Sequence, residues 1–82
     1  MDRVVDFAAL SPEDDRTPLV CSLCDAIEAT WDEGLYPLVA VDRPWSRHNP
    51  LLRGEFARPR AIRWYLEREL GKLASAGAKI TV

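Results

Sequence analysis

Apolar positions fall into two helical stripes separated by shorter runs with the character of strands. Val20, Leu23, Cys24, Ile27 and Trp31 recur at i, i+3, i+4, i+7 and i+11, the period of an amphipathic helix. Thr17-Pro18 provides a start signal, Asp25, Glu28 and Asp32 form the polar side, and Gly34 is a stop, so the pattern predicts a helix from Thr17 to about Asp32. The second stripe is Ile62, Tyr65, Leu66, Leu70 and Leu73, with Glu67, Arg68, Glu69 and Lys72 opposite. It opens at Pro59 and closes at Ser75-Ala76-Gly77, with Gly again in the position that favours a left-handed residue. Gly71 lies inside this helix, where glycine costs about 1 kcal/mol against alanine.

The remaining runs are short. Lys79-Ile80-Thr81-Val82 alternates as a strand. Leu35 to Val41 is apolar and β-branched and reads as a strand, with Pro37 near its start or on a sheet edge. Arg3 to Phe7 is a short strand or an apolar strap, and Ser11-Pro12-Glu13-Asp14-Asp15 is a turn or one capped helical turn. Asp42 to Pro50 is a loop, and Leu51 to Ala57 a short strand containing Gly54. The order (β)–α–β–(β)–α–β predicts an α+β fold, a small two-layer sandwich with two helices on one face of a 3–4-stranded sheet. A single domain over residues 1–82 is expected, with 1–16 as an irregular N-terminal segment.

Size and composition narrow the function classes. A chain of 82 residues buries only about 60–65% of its unfolded surface, which excludes a nucleotide-binding domain joined to a substrate domain, and any large barrel. With 48% hydrophobic and 29% charged residues it is not a disordered chain. No apolar run approaches the roughly 18–20 residues of a membrane span. Met1-Asp2-Arg3-Val4 lacks the basic start and apolar stretch of a signal peptide, so a cytoplasmic location is expected.

The net charge of -2 conceals a division. Residues 1–42 hold ten acids against two bases, a net of −8; residues 43–82 hold nine bases against three acids, a net of +6. Six arginines lie between Arg43 and Arg63 beside one acid, Glu55. The division suits attraction between the halves, within the fold or across a dimer, and secondly an anion site in the basic half. Nucleic acid is disfavoured by the acidic total.

Trp45-Ser46-Arg47-His48-Asn49-Pro50 is the richest polar cluster. Arg47 and Arg53 have the forked donors that grip phosphate, Trp45 has a ring to stack on a base, and His48 can donate a proton. Arg58, Arg60 and Arg63 stand at the start of the second helix, where free N–H groups favour an anion. Cations there oppose the helix dipole, and pairing with Glu55, Glu67 or the acidic first helix is the simpler account. Cys21 and Cys24 have redox-motif spacing, but they lie about a turn inside the first helix in an acidic half, so a structural role is expected. Two cysteines and a single His48 do not complete a zinc site, and no cofactor or metal is expected. Trp31 and Trp64 are candidates for the core edge or for a protein interface. No Ser–His–acid pattern and no Gly-rich phosphate loop is present, so no catalytic residue is assigned.

The second half resembles a known family. Tyr36-Pro37-Leu38-Val39-Ala40-Val41 is similar to the Tyr-Pro strand of the N-terminal domain of bacterial AMP nucleosidase. Arg58-Pro59, then Tyr65-Leu66, Leu70 and Leu73, then Gly77-Ala78-Lys79-Ile80-Thr81-Val82, resemble that domain's closing helix and strand. Cys24-Asp25-Ala26-Ile27 is similar to the helix that precedes the Tyr-Pro strand. The family has a longer stretch where this chain has only Asp42 to Ala57, and its catalytic part is a separate domain that follows. The resemblance therefore implies a non-catalytic regulatory or interaction module, and the candidate residues for an adenine nucleotide or phosphate in it are Trp45, Arg47, His48, Arg53, Arg58, Arg60 and Arg63. Exposed sheet edges and a thin core both favour association, so a homo-oligomer or a protein partner is expected. The alternatives are part of an N-glycosidase acting on AMP, and a protein-interaction scaffold with no small ligand.

Overall fold

The computed structural model of the chain describes residues 3–35, 37–43 and 63–82. The elements run β1 (Val4–Asp6), a 3-10 turn (Phe7–Ala9), α1 (Thr17–Asp32), β2 (Ala40–Val41), α2 (Arg63–Ser75) and β3 (Lys79–Thr81). Two helices and a three-stranded antiparallel sheet make a small α+β fold. Among the described residues, no helix is long and apolar enough to cross a membrane.

Both helices end as their glycines predict. The Gly34 N–H donates to the Trp31 carbonyl and the Leu35 N–H to that of Thr30. The Gly77 N–H donates to Ala74 and the Ala78 N–H to Leu73. These paired bonds satisfy the last carbonyls of each helix and require a left-handed residue, which Gly34 (φ 78) and Gly77 (φ 77) supply. At the start of α1 the capping acceptor is not Thr17 itself. Oδ1 of Asp15 accepts from the Thr17 N–H at 3.0 Å, and that bond holds the Asp15 carboxyl below its ordinary pKa. Residues 11–14 form a turn, closed by the Asp14 N–H on the Ser11 carbonyl and the Ser11 N–H on the Asp14 carboxylate.

β3 is the central strand. It pairs antiparallel with β1 (Val4 opposite Thr81, Asp6 opposite Lys79) and with β2 (Ala40 opposite Thr81, Val41 opposite Ile80). The expected strand from Leu35 to Val41 is thus reduced to two residues. β3 offers only three positions to pair with, and the buried Pro37 has no N–H to contribute to a ladder. The N-terminal segment, in turn, is not wholly irregular, since it contributes β1. The possible strand from Leu51 to Ala57 lies outside the described residues, as do Pro59 and Ile62 of the second stripe.

The core joins Phe7 to Val20, Leu23, Cys24 and Ile27 of α1, to Leu66, Leu70, Leu73 and Ala74 of α2, and to Ala78 and Ile80. Val5 and Val41 pack against it from the flanking strands, and Trp31 and Tyr65 from the helices. Arginines fasten the periphery through backbone carbonyls. Arg16 donates to Phe7, Ser11 and Asp14, holding the N-terminal segment to the start of α1. Arg43 donates to Ala76 and Gly77, closing over the end of α2. Asp42 accepts from the Lys79 N–H at 2.9 Å, which lowers its carboxyl pKa.

Gly71 and Gly77 should respond to alanine in opposite directions. A Cβ at Gly71 meets nothing within 4 Å, so Gly71→Ala is expected to stabilise by about 1 kcal/mol through helix propensity alone. At Gly77 the neighbouring Ala8 atoms stay at ordinary contact distances, but the positive φ costs a Cβ about 1–2 kcal/mol. Thermal unfolding of the two variants checks the pair; a loss at position 71, or no loss at 77, contradicts these backbone assignments.

Candidate functional site

The densest polar cluster among the described residues is centred on Arg63, at the start of α2. Its Nε donates to Glu67 at 2.6 Å, one helical turn on. Its Nη1 contacts Asp25 at 2.9 Å and Glu28 at 3.1 Å, both on α1. Its Nη2 donates to the Cys21 carbonyl at 3.2 Å. Burial works against the guanidinium charge, yet the bonds to Glu67, Asp25 and Glu28 together hold its pKa above the ordinary arginine value. Glu28 therefore does not lie on a water-facing side of α1 as its spacing suggested. Its side chain is only 17% exposed and turns toward α2.

Arg63 is the only proposed anion-binding residue among the described ones, and its guanidinium is already surrounded by three carboxylates. Such a cluster joins the helices; an incoming phosphate would meet those acids first. Trp45, Arg47, His48, Arg53, Arg58 and Arg60 lie outside the described residues. No group of three or more His, Cys, Asp or Glu suited to a metal occurs among the described residues.

The cysteines differ sharply in setting. Cys24 is in the core, and burial pushes its thiol up to about 12 against the nearby Arg63 charge. Cys21 is half-buried, with its Sγ 3.9 Å from Oε1 of Glu67. It lines an open cleft of about 190 Å³ between the start of α1 and the later turns of α2, together with Arg16, Thr17, Val20, Glu67, Gly71, Ala74 and Ser75. The only sequence signal for this cleft is Gly71, a helix-weakening residue in an otherwise strong stripe.

Trp64 is 64% exposed. Its ring meets Tyr65 edge-on, with centroids 6.0 Å apart and an interplanar angle of 85°. The Arg68 guanidinium lies 5.3 Å from the centre of the Trp64 ring and 5.2 Å from that of Tyr65. Trp31, by contrast, packs against the core edge. No family model, curated protein or solved structure matches the chain.

Proposed function

We propose that this chain is a non-catalytic interaction module, organised like the regulatory N-terminal domain of AMP nucleosidase. The exposed Trp64, stiffened by Tyr65 and Arg68, carries this reading. Trp, Tyr and Arg are the residue types that dominate binding energy at protein interfaces, and a packed cation over the ring lowers the entropy lost on contact. Both edges of the short sheet lack a further neighbour among the described residues, which adds surface suited to association.

The full chain, wild type and Trp64→Ala, is the material for the test. Trp64→Ala should keep the unfolding transition nearly unchanged, since exposed substitutions stay within about 0.5 kcal/mol. It should weaken association, with itself or with a captured partner, by tenfold or more. Association equal in both proteins overturns the reading. Thermal unfolding with MgATP, AMP and inorganic phosphate tests the sensing role that the family resemblance implies. Ligand at 100 times its dissociation constant adds about 2.7 kcal/mol, or roughly 10–20 °C for so small a domain. A shift lost on Arg47→Ala or Arg58→Ala supports adenylate or phosphate sensing, and no shift leaves protein association alone. Release of adenine from AMP by the purified chain overturns the non-catalytic reading.

A further inference from the structure

One face of α2 carries both a knob and a hole. Trp64 and Gly71 are seven residues apart, nearly two turns and roughly 10 Å along the axis, so they point in nearly the same direction. Trp64 stands 64% exposed. Gly71 lies in the cleft of about 190 Å³, with Val20 and Ala74 as its apolar lining. Nothing is within 4 Å of a Cβ placed on Gly71. A cavity of ~150 Å³ already accepts a benzene ring, so this open cleft of about 190 Å³ has room for the six-membered ring of an indole. Arg16 forms part of the cleft wall. The π-face of an indole is a favourable surface for its guanidinium charge.

Resting on the interaction reading above, we propose that the partner is a second copy of this chain. The two copies meet about a two-fold axis that passes between their α2 helices at the level of Glu67 and Arg68, and Trp64 of each sits over Gly71 of the other. The second copy is the occupant because knob and hole share one helix face at a spacing that a two-fold axis satisfies twice. That axis keeps like flanks together, so the Glu67 side chains approach each other, as do those of Arg68. Each is already engaged in its own chain, Glu67 by Arg63 and Arg68 by the two rings. The residual repulsion sets a sign: added salt strengthens this dimer rather than weakening it.

Sedimentation velocity of the full chain over a range of concentrations tests the proposal, with Trp64→Ala and Gly71→Leu as variants. Both should fold, because Trp64 is exposed and leucine is a stronger helix former than glycine in open space; circular dichroism verifies this. The wild type is expected to dimerise, more tightly in high salt, and each variant to need at least tenfold more protein. An equimolar mixture of the variants is decisive. Each variant alone keeps neither joint, but the mixed dimer keeps one, with Trp64 of the Gly71→Leu chain over Gly71 of the Trp64→Ala chain. The mixture should therefore associate more tightly than either variant. A monomeric wild type, a dimer that survives both substitutions, or a mixture no better than its parts overturns the self-association. Should a wild-type monomer still hold another protein through Trp64, the interaction reading survives; loss of every Trp64-dependent contact removes both.

Discussion

Replacing Arg63 with alanine is expected to cost about 2–3 kcal/mol and to lower the unfolding midpoint by roughly 10–20 °C. The substitution leaves three carboxylates behind. Asp25, Glu28 and Glu67 converge on one guanidinium that is itself only 26% exposed. Removing one partner of a buried ion pair costs about 3–5 kcal/mol, because a charge remains without water or a counter-charge. The lower figure applies here because Asp25 and Glu67 reach solvent and are partly screened.

Two further substitutions separate this account from a simple loss of packing. Arg63→Lys keeps the charge but not the forked donors that serve α1 and Glu67 together, so an intermediate loss is expected. Glu28→Gln should cost less in the Arg63→Ala background than on its own, because the two groups are 3.1 Å apart and share one interaction. Urea unfolding of the wild type, Arg63→Ala, Glu28→Gln and the double variant completes the cycle. Additive losses in the double variant would show that Arg63 and Glu28 do not communicate.

Cys24 should react about a thousandfold more slowly than an ordinary cysteine thiol. With its thiol near 12 rather than 9.0, Cys24 forms roughly a thousandfold less thiolate than an ordinary cysteine at neutral pH. Burial in the core adds a steric barrier. Brief alkylation of the folded chain, read by peptide mass spectrometry, should therefore mark Cys21 and spare Cys24, and denaturant should abolish the difference. Comparable labelling in the folded state would contradict the placement of Cys24 in the core. The same shift carries a pH dependence. The folded state holds the Cys24 proton more tightly, so its contribution to stability is complete below pH 9 and is lost as the pH climbs towards 12. Cys24→Ala should flatten that alkaline loss.

The i, i+4 spacing of Arg63 and Glu67, and the excess of acid in α1, already suggested that the basic and acidic halves would meet. Which acids would meet Arg63 was not legible. Asp25 and Glu28 lie 38 and 35 positions away, and their helical spacing marks them only as polar. The cleft over Gly71 was hidden for the same reason: one wall belongs to α1 and the other to α2.

The helices, their glycine stops and the final strand followed from the sequence by itself. Each depends on interactions among residues a few positions apart, where periodicity, capping and the left-handed freedom of glycine operate. The tertiary structure alone decided the strand order β1-β3-β2, the shortening of β2 to Ala40–Val41, and the arginine fastenings at Arg16 and Arg43. Strand pairing joins segments some forty to seventy-five residues apart, and a carbonyl becomes a partner for arginine only once its own helix or turn has formed. Local pattern determines which elements exist. The exclusion of water from the surface between them determines which charges, rings and gaps are brought together.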